Sequence, residues 1–334
     1  MRSPVAGLVL VVFLATGCGA GTPSATGTAA GSPGKAAVPT PSPTPFPTPY
    51  ATQAAGLDAF IIPLGADAAP LGIIYAEGSV WVALHHGDGV LRLDPATGAV
   101  IARIPTGPRS GPAWFTVGDG SIWVTNQNGA GVSRINPDTN TVSAAIGADP
   151  PCGLPAFFES AVWIDACDAP ALIRYDAATN ALADRIDTPE AMTPIAVGDE
   201  LWGVGEQALY RIDPDSNDVS TVMQCCGSLG IPAVRDDELW TGQETDALTV
   251  VDTRRERHGE PVAVEQVTAV VFDRRSAWAL SSGGGAKLTE IDLSSSQPLE
   301  TYQFGVQLPS LAIVDGKLWI TDFALSQVFV ITPP

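Results

Sequence analysis

Seven tryptophans, Trp81, Trp123, Trp163, Trp202, Trp240, Trp278 and Trp319, follow one another at intervals of 42, 40, 39, 38, 38 and 41 residues, each inside a short apolar run. A repeat architecture explains this self-similarity economically, because each unit buries the same face against a copy of itself. The repetition specifies a scaffold. Function has to be sought in whatever breaks the repetition.

Aligned on their tryptophans, the units resolve into four β-rich runs, clearest in the second: Pro112-Ala-Trp-Phe-Thr-Val, Ser121-Ile-Trp-Val-Thr, Val132-Ser-Arg-Ile and Thr141-Val-Ser-Ala-Ala-Ile. Short runs of this kind separated by turn residues mark an all-β repeat. A turn falls four and three residues before every tryptophan, at Glu77-Gly78, Asp119-Gly120, Glu159-Ser160, Gly198-Asp199, Asp236-Asp237, Arg274-Arg275 and Asp315-Gly316. Asp-Gly here is the two-residue hairpin whose twist suits antiparallel strands. A second turn follows the third run, as Asp94-Pro-Ala-Thr-Gly98, Asn136-Pro-Asp-Thr-Asn140, Asp176-Ala-Ala-Thr-Asn180 and Asp213-Pro-Asp-Ser-Asn217. There Asp or Asn caps the turn, Pro sets the next φ, and Gly or Asn accepts the left-handed position.

Four antiparallel strands per unit, repeated seven times, predict an all-β fold: a seven-bladed β-propeller with each tryptophan wedged between neighbouring blades. The last unit, residues 309–334, contains only three strand-like runs. Phe60-Ile-Ile-Pro-Leu-Gly65 precedes the first unit as Ala102-Arg-Ile-Pro-Thr-Gly107 precedes the second. This N-terminal strand is therefore expected to complete the last blade, closing the ring and removing its open edge.

Trp123-Val-Thr-Asn126, followed by Val132-Ser-Arg-Ile-Asn-Pro-Asp-Thr-Asn-Thr-Val142 and Ala145-Ile-Gly147, resembles the YVTN β-propeller repeat of bacterial and archaeal surface proteins. Across residues 57–334 the chain is also similar, more loosely, to the propellers of virginiamycin B lyase and of the gluconolactonase and regucalcin group. The resemblance implies a seven-bladed propeller. Its shared letters are turn and packing residues, so it implies no activity by itself. In the lactonase group, carboxylates and an Asn hold a divalent metal in the channel. No Asp, Glu, Asn or His occurs in the runs expected to be innermost, from Leu71-Gly-Ile-Ile-Tyr to Pro309-Ser-Leu-Ala-Ile.

The first 55 residues contain no Asp or Glu. Residues 1–18 read as a lipoprotein signal peptide, with Arg2, an apolar stretch from Val5 to Ala15, and Ala15-Thr-Gly-Cys18. That stretch is too short to span a bilayer. The small residues ahead of the cysteine resemble the bacterial lipobox, which implies lipidation of Cys18; plain secretion is the alternative. A diacylglyceryl group would supply the two chains that stable anchoring requires. Residues 19–56 read as a disordered Ala/Gly/Pro/Ser/Thr-rich tether, whose Pro39-to-Pro49 stretch favours polyproline II and spans roughly 30 Å. Residues 57–334 form the propeller and, with 15 basic and 36 acidic side chains, carry a formal charge of −21. Such a field repels phosphate backbones and argues against nucleic acid. The expected location is the cell envelope, outside the cytoplasm, as a monomer touching the membrane only through its anchor.

Four further cysteines, Cys152, Cys167, Cys225 and Cys226, allow three pairings in an exported protein. Register favours one. The Glu159-Ser160 turn pairs residues whose numbers sum to 319, as Cys152 and Cys167 also do. Cys225 and Cys226 would then form a vicinal disulfide, with cross-pairing to the first two as the alternative.

Chemistry in a propeller is expected at the mouth of the central channel. The alignment sets His85, Arg109, Asn126, Gln127, Asp165, Asp168, Glu206, Gln243, Glu244 and Asp322 there, at positions that vary between blades. An acidic mouth favours cations, amines or sugars, while Arg109 offers the one cation aimed at it. His85 and His86 could ligate a metal only if other donors converge. No nucleophile elbow, phosphate-binding loop or His-Glu-x-x-His is present. These features predict a module that binds a small molecule or an envelope protein without a cofactor. The alternative is a lyase or hydrolase at the mouth, with a divalent metal entering only in that case.

Overall fold

Four of the seven residue pairs ahead of the tryptophans turn the chain wholly through the left-handed region, while Gly198-Asp199 and Asp236-Asp237 have one positive φ each and Arg274-Arg275 has none. Both φ angles are positive at Glu77-Gly78 (50° and 66°), Asp119-Gly120 (51° and 62°), Glu159-Ser160 (46° and 58°) and Asp315-Gly316 (49° and 74°). That is the primed hairpin whose twist matches its flanking strands. In the second turn, Oδ1 of Asp94, Asn136 and Asp213 accepts from two backbone N–H groups each, and the closing residues Gly98, Asn140, Asn180 and Asn217 all have positive φ.

The structure is a computed structural model that describes residues 48–129, 131–147, 150–224, 231–242, 247–282, 285–304 and 308–334. Among these residues the ordered segments are strands, arranged in six four-stranded sheets and one five-stranded sheet. Blade 1 runs Pro70–Ala76, Ser79–Leu84, Gly89–Leu93 and Val100–Pro105, and blade 2 runs Pro112–Gly118, Ser121–Asn126, Val132–Asn136 and Thr141–Ile146. Blades 3 to 6 begin at Ala156–Phe158, Met192–Val197, Ala233–Arg235 and Val267–Phe272. Each is an antiparallel meander in chain order. Blade 7 joins Leu311–Val314, Lys317–Asp322 and Gln327–Ile331 to the N-terminal strand Leu57–Pro63, with Ala59 opposite Ile331 and Pro63 opposite Gln327. The ring therefore closes as the sequence predicts, in a seven-bladed propeller.

One boundary moves. Tyr50–Ala54, placed in the tether by its composition, is a fifth strand on blade 7, with Tyr50 opposite Ile61 and Ala54 opposite Leu57. Four of its five residues are exposed, so it carries none of the apolar alternation that betrays a half-buried strand. Residues 1–47, including Cys18, lie outside the described residues.

All seven tryptophans are buried, at 0 to 2% exposure. Each packs forward onto the next blade. Trp81 lies with Phe115, Ile122 and Val124 of blade 2, Trp123 with Val162 and Ile173 of blade 3, and Trp319 with Ile73, Val82 and Leu93 of blade 1. Removing such a side chain costs about 3–5 kcal/mol, from lost transfer energy and the cavity left behind.

Four arginines reinforce the same seams on the face opposite the mouth. Arg92, Arg134, Arg174 and Arg211 lie 5.1, 4.7, 4.9 and 5.0 Å from the ring centres of Trp81, Trp123, Trp163 and Trp202. Each guanidinium then reaches the second turn of the next blade. Arg92 donates to Pro137 O and Asn140 Oδ1, Arg134 to Ala177 O and Asn180 Oδ1, Arg174 to Pro214 O, and Arg211 to Glu256.

Candidate functional site at the channel mouth

The mouth is built by two sets of loops, those joining consecutive blades and those joining strands two and three. Backbone bonds continue the inner hairpins into these loops: His85 and His86 N–H donate to Ala69 and Ala68 O, and Gln127 and Asn128 N–H to Gly111 and Ser110 O. The ladder ties the two sets of loops to each other. Gly111 (φ 59°) is required there, since a Cβ would sit 2.5 Å from Asn128 Nδ2.

Between blades 1 and 2 these loops enclose a basin of about 580 Å³, lined by His85, His86, Asp88, Arg109 and Asn128. His85 Nε2 stands 3.2 Å from Asn128 Nδ2, and the His86 ring lies 5.4 Å from that of His85 and 5.6 Å, edge-on, from Phe323. Burial, and then the charge of His86, lower the pKa of His85, so its imidazole is neutral at pH 7. Its Nδ1 is buried with no hydrogen-bond partner. Asp88 Oδ2 accepts from the Arg109 backbone N–H at 2.6 Å, holding Arg109 in a left-handed conformation (φ 54°) with its side chain exposed. The basin thus combines one exposed cation, a carboxylate engaged by backbone, a neutral imidazole and an amide.

Among the described residues, the others nominated at the mouth do not line this basin. Asn126 is buried and donates to Ser133 Oγ at 2.9 Å. Asp322, fully buried, accepts from Leu325 N–H and Gln327 Nε2, capping the loop between strands two and three of blade 7. Alignment gave their position along the strand. It did not give the face on which they point. Asp165 is 8% exposed and accepts from Gly153 N–H at 2.6 Å, and its burial raises the pKa to about 6. Asp168 pairs with Arg185 at 2.6 Å, which holds its pKa low. Glu206 is exposed, and its backbone N–H serves Glu190, a residue that the sequence pattern did not single out. Glu190 also accepts from Gln207 and Ala208 N–H and from the Tyr210 hydroxyl at 2.8 Å; burial, then this carboxylate, push Tyr210 up to about 12. Gln243, Glu244, Cys225 and Cys226 lie outside the described residues. Among the described residues no three His, Cys, Asp or Glu side chains converge as a metal site would require.

Cys152 and Cys167 form a disulfide, with Cα atoms 4.9 Å apart. The pairing agrees with the register argument, but the ladder does not run straight to it. Ala156 faces Trp163, whereas Pro151 faces Ala166, a slip of two residues that leaves Cys152 N–H bonded to Asp165 O. Prolines at 150, 151 and 155 cannot donate to the ladder, which is why it breaks there.

No family model and no curated protein sequence matches the chain. Solved structures do. Virginiamycin B lyase from Staphylococcus aureus is similar at a TM-score of 0.66 and 17% identity, over 83% of this chain and 99% of its own. BamB from Moraxella catarrhalis is similar at 0.60 and 11%, over 85% and 100%. The computationally designed Ika8 protein is similar at 0.61 and 12%, over 80% and 98%. A designed protein matching as well as natural ones shows that the likeness measures architecture.

Proposed function

We propose that this propeller is a binding module of the cell envelope, anchored through Cys18, that takes a carboxylate-bearing ligand, free or displayed on a protein, in the basin between blades 1 and 2. One observation carries the reading. The acids Asp165, Asp168, Glu190 and Asp322 are engaged in internal bonds, while Arg109, His85 and Asn128 face a common open space. Arg109 supplies a forked donor for a carboxylate, and the Asn128 amide, held in place by His85 Nε2, supplies an orienting hydrogen bond. The export signal, the Pro-rich tether and the acidic surface support an extracytoplasmic location and a partner other than nucleic acid.

A lyase acting at the same mouth is the second reading. It is favoured by the half-buried neutral His85, a group of the kind that serves as general base, and by the likeness to virginiamycin B lyase. Thermal melts of the full chain against acetate, amines, neutral sugars and divalent metals, with and without chelator, separate the two. A carboxylate-dependent rise indifferent to chelator supports binding, since a ligand of the native state raises the midpoint by mass action. A metal-dependent rise abolished by chelator supports the lyase. Fractionation tests the anchor: Cys18→Ala should move the chain from the membrane to the soluble fraction, and an unchanged distribution contradicts lipidation.

A further inference from the structure

The loop joining strands two and three of blade 7 departs from its counterparts. In blades 1 to 4 that loop is built of polar or small residues, as in His85-His86-Gly-Asp88 and Glu206-Gln207, whereas blade 7 has Phe323-Ala-Leu-Ser326. Leu325 is 60% exposed, the most of any large apolar side chain among the described residues. The other six that are exposed stand on strands, where β propensity accounts for an apolar residue facing water. Leu325 stands in a turn, where polar residues serve as well or better. The positive φ of this turn falls on Ser326 (52°), so its conformation does not call for leucine.

The turn is tied on both sides. Asp322, fully buried, accepts from Leu325 N–H at 3.0 Å, while Ser326 O and Oγ accept from Leu64 N–H at 2.9 Å and Ala69 N–H at 3.2 Å. Phe323, half-buried, meets the exposed His86 ring at 5.6 Å, and His86 meets His85 at 5.4 Å. Three aromatic rings therefore run along the rim from the blade 7 turn into the basin where Arg109 and Asn128 stand. The rim has an apolar end on blade 7 and a cationic end at the junction of blades 1 and 2. His86 belongs to both, since it lines the basin and touches Phe323.

We infer that the carboxylate held in the basin is the C-terminal carboxylate of a peptide chain whose last side chain is large and apolar, seated against Phe323, Leu325 and the His86 ring. The inference rests on the carboxylate reading of the basin. A terminal residue carries its carboxylate and its side chain on one Cα, so Arg109 takes the first while the aromatic rim takes the second. A fatty acid offers the same two chemistries, but its chain requires an enclosed apolar cavity. The apolar surface here consists of the half-buried Phe323 and the exposed Leu325, which suits one side chain.

Calorimetric titration of the full chain with N-acetylphenylalanine, its amide, N-acetylglycine and octanoate tests the assignment. N-acetylphenylalanine should bind about tenfold tighter than N-acetylglycine, the gain expected from removing about half of a phenyl group's surface from water. The amide should not bind measurably, and octanoate should bind no tighter than N-acetylglycine. Leu325→Ser and Phe323→Ser should each cut the preference for N-acetylphenylalanine over N-acetylglycine several-fold. Equal affinity for the two amino-acid derivatives overturns the inference and leaves the carboxylate reading standing. Binding of neither, or equal binding of N-acetylphenylalanine and its amide, overturns both. Octanoate binding as tightly as N-acetylphenylalanine contradicts a peptide terminus, and a preference unchanged in the serine variants contradicts the seat on blade 7. Should Phe323→Ser fail to fold, Leu325→Ser decides alone.

Discussion

Arg134 lies 4.7 Å from the ring centre of Trp123, and the same guanidinium reaches Ala177 O at 2.6 Å in the next blade. One side chain thus joins a core tryptophan to a neighbouring turn, so the seam between blades 2 and 3 is closed by a charged group as well as by apolar packing.

Arg134→Ala should destabilise the propeller by about 2–3 kcal/mol, combining a sheltered cation–π contact with charge-assisted hydrogen bonds. Arg134→Lys should recover less than half, since an ammonium lacks the planar fork. The urea midpoint checks both. The exposed Arg257→Ala serves as control and should change stability by no more than about 0.5 kcal/mol. Equal effects from the two alanine variants would contradict a role in closing the seam.

Glu159 and Ser160 adopt positive φ without glycine. An L-residue pays about 1 kcal/mol for that conformation. Ser160→Gly should therefore raise the Tm by about 2–4 °C in a domain of this size. A fall would mean that the Ser160 side chain makes a contact outweighing the strain.

The scaffold was legible because its signals are local. Tryptophan spacing, Asp-Gly pairs and Asx-capped turns each report a backbone requirement that only certain residues meet, and the structure places a hairpin at every one of the four turns with paired positive φ. The arginine ladder was legible in principle: Arg92, Arg134 and Arg174 each follow their tryptophan by 11 residues, a spacing that a search for catalytic patterns passes over. The mouth was read less well. Asn126 and Asp322 sit at strand ends, where one residue of register decides between channel and core, and polarity alone does not fix that register. His85 and Arg109 line the basin because both stand in loops, where side chains have open space to enter.

Asp165 gives a pH signature. Its folded pKa of about 6 lies above the ordinary value of 3.8 for an aspartate, so folding disfavours its charged form. The penalty is absent below about pH 4, where both states are protonated, and complete above about pH 6. It amounts to about 3 kcal/mol for a shift of this size. Asp165→Asn should stabilise the domain by about 2–3 kcal/mol at pH 7 and by little at pH 4. Denaturant midpoints of the two proteins across that range measure the difference. A gap that stays constant with pH would show that Asp165 remains ionised throughout.

The most direct measurement for the basin is a calorimetric titration of the full chain with N-acetylglycine and with its amide, in the wild type and in Arg109→Glu. Saturable binding of the carboxylate alone is expected, lost when the one exposed cation of the basin is reversed. Equal response to acid and amide, or binding that survives Arg109→Glu, would contradict a carboxylate site at the mouth.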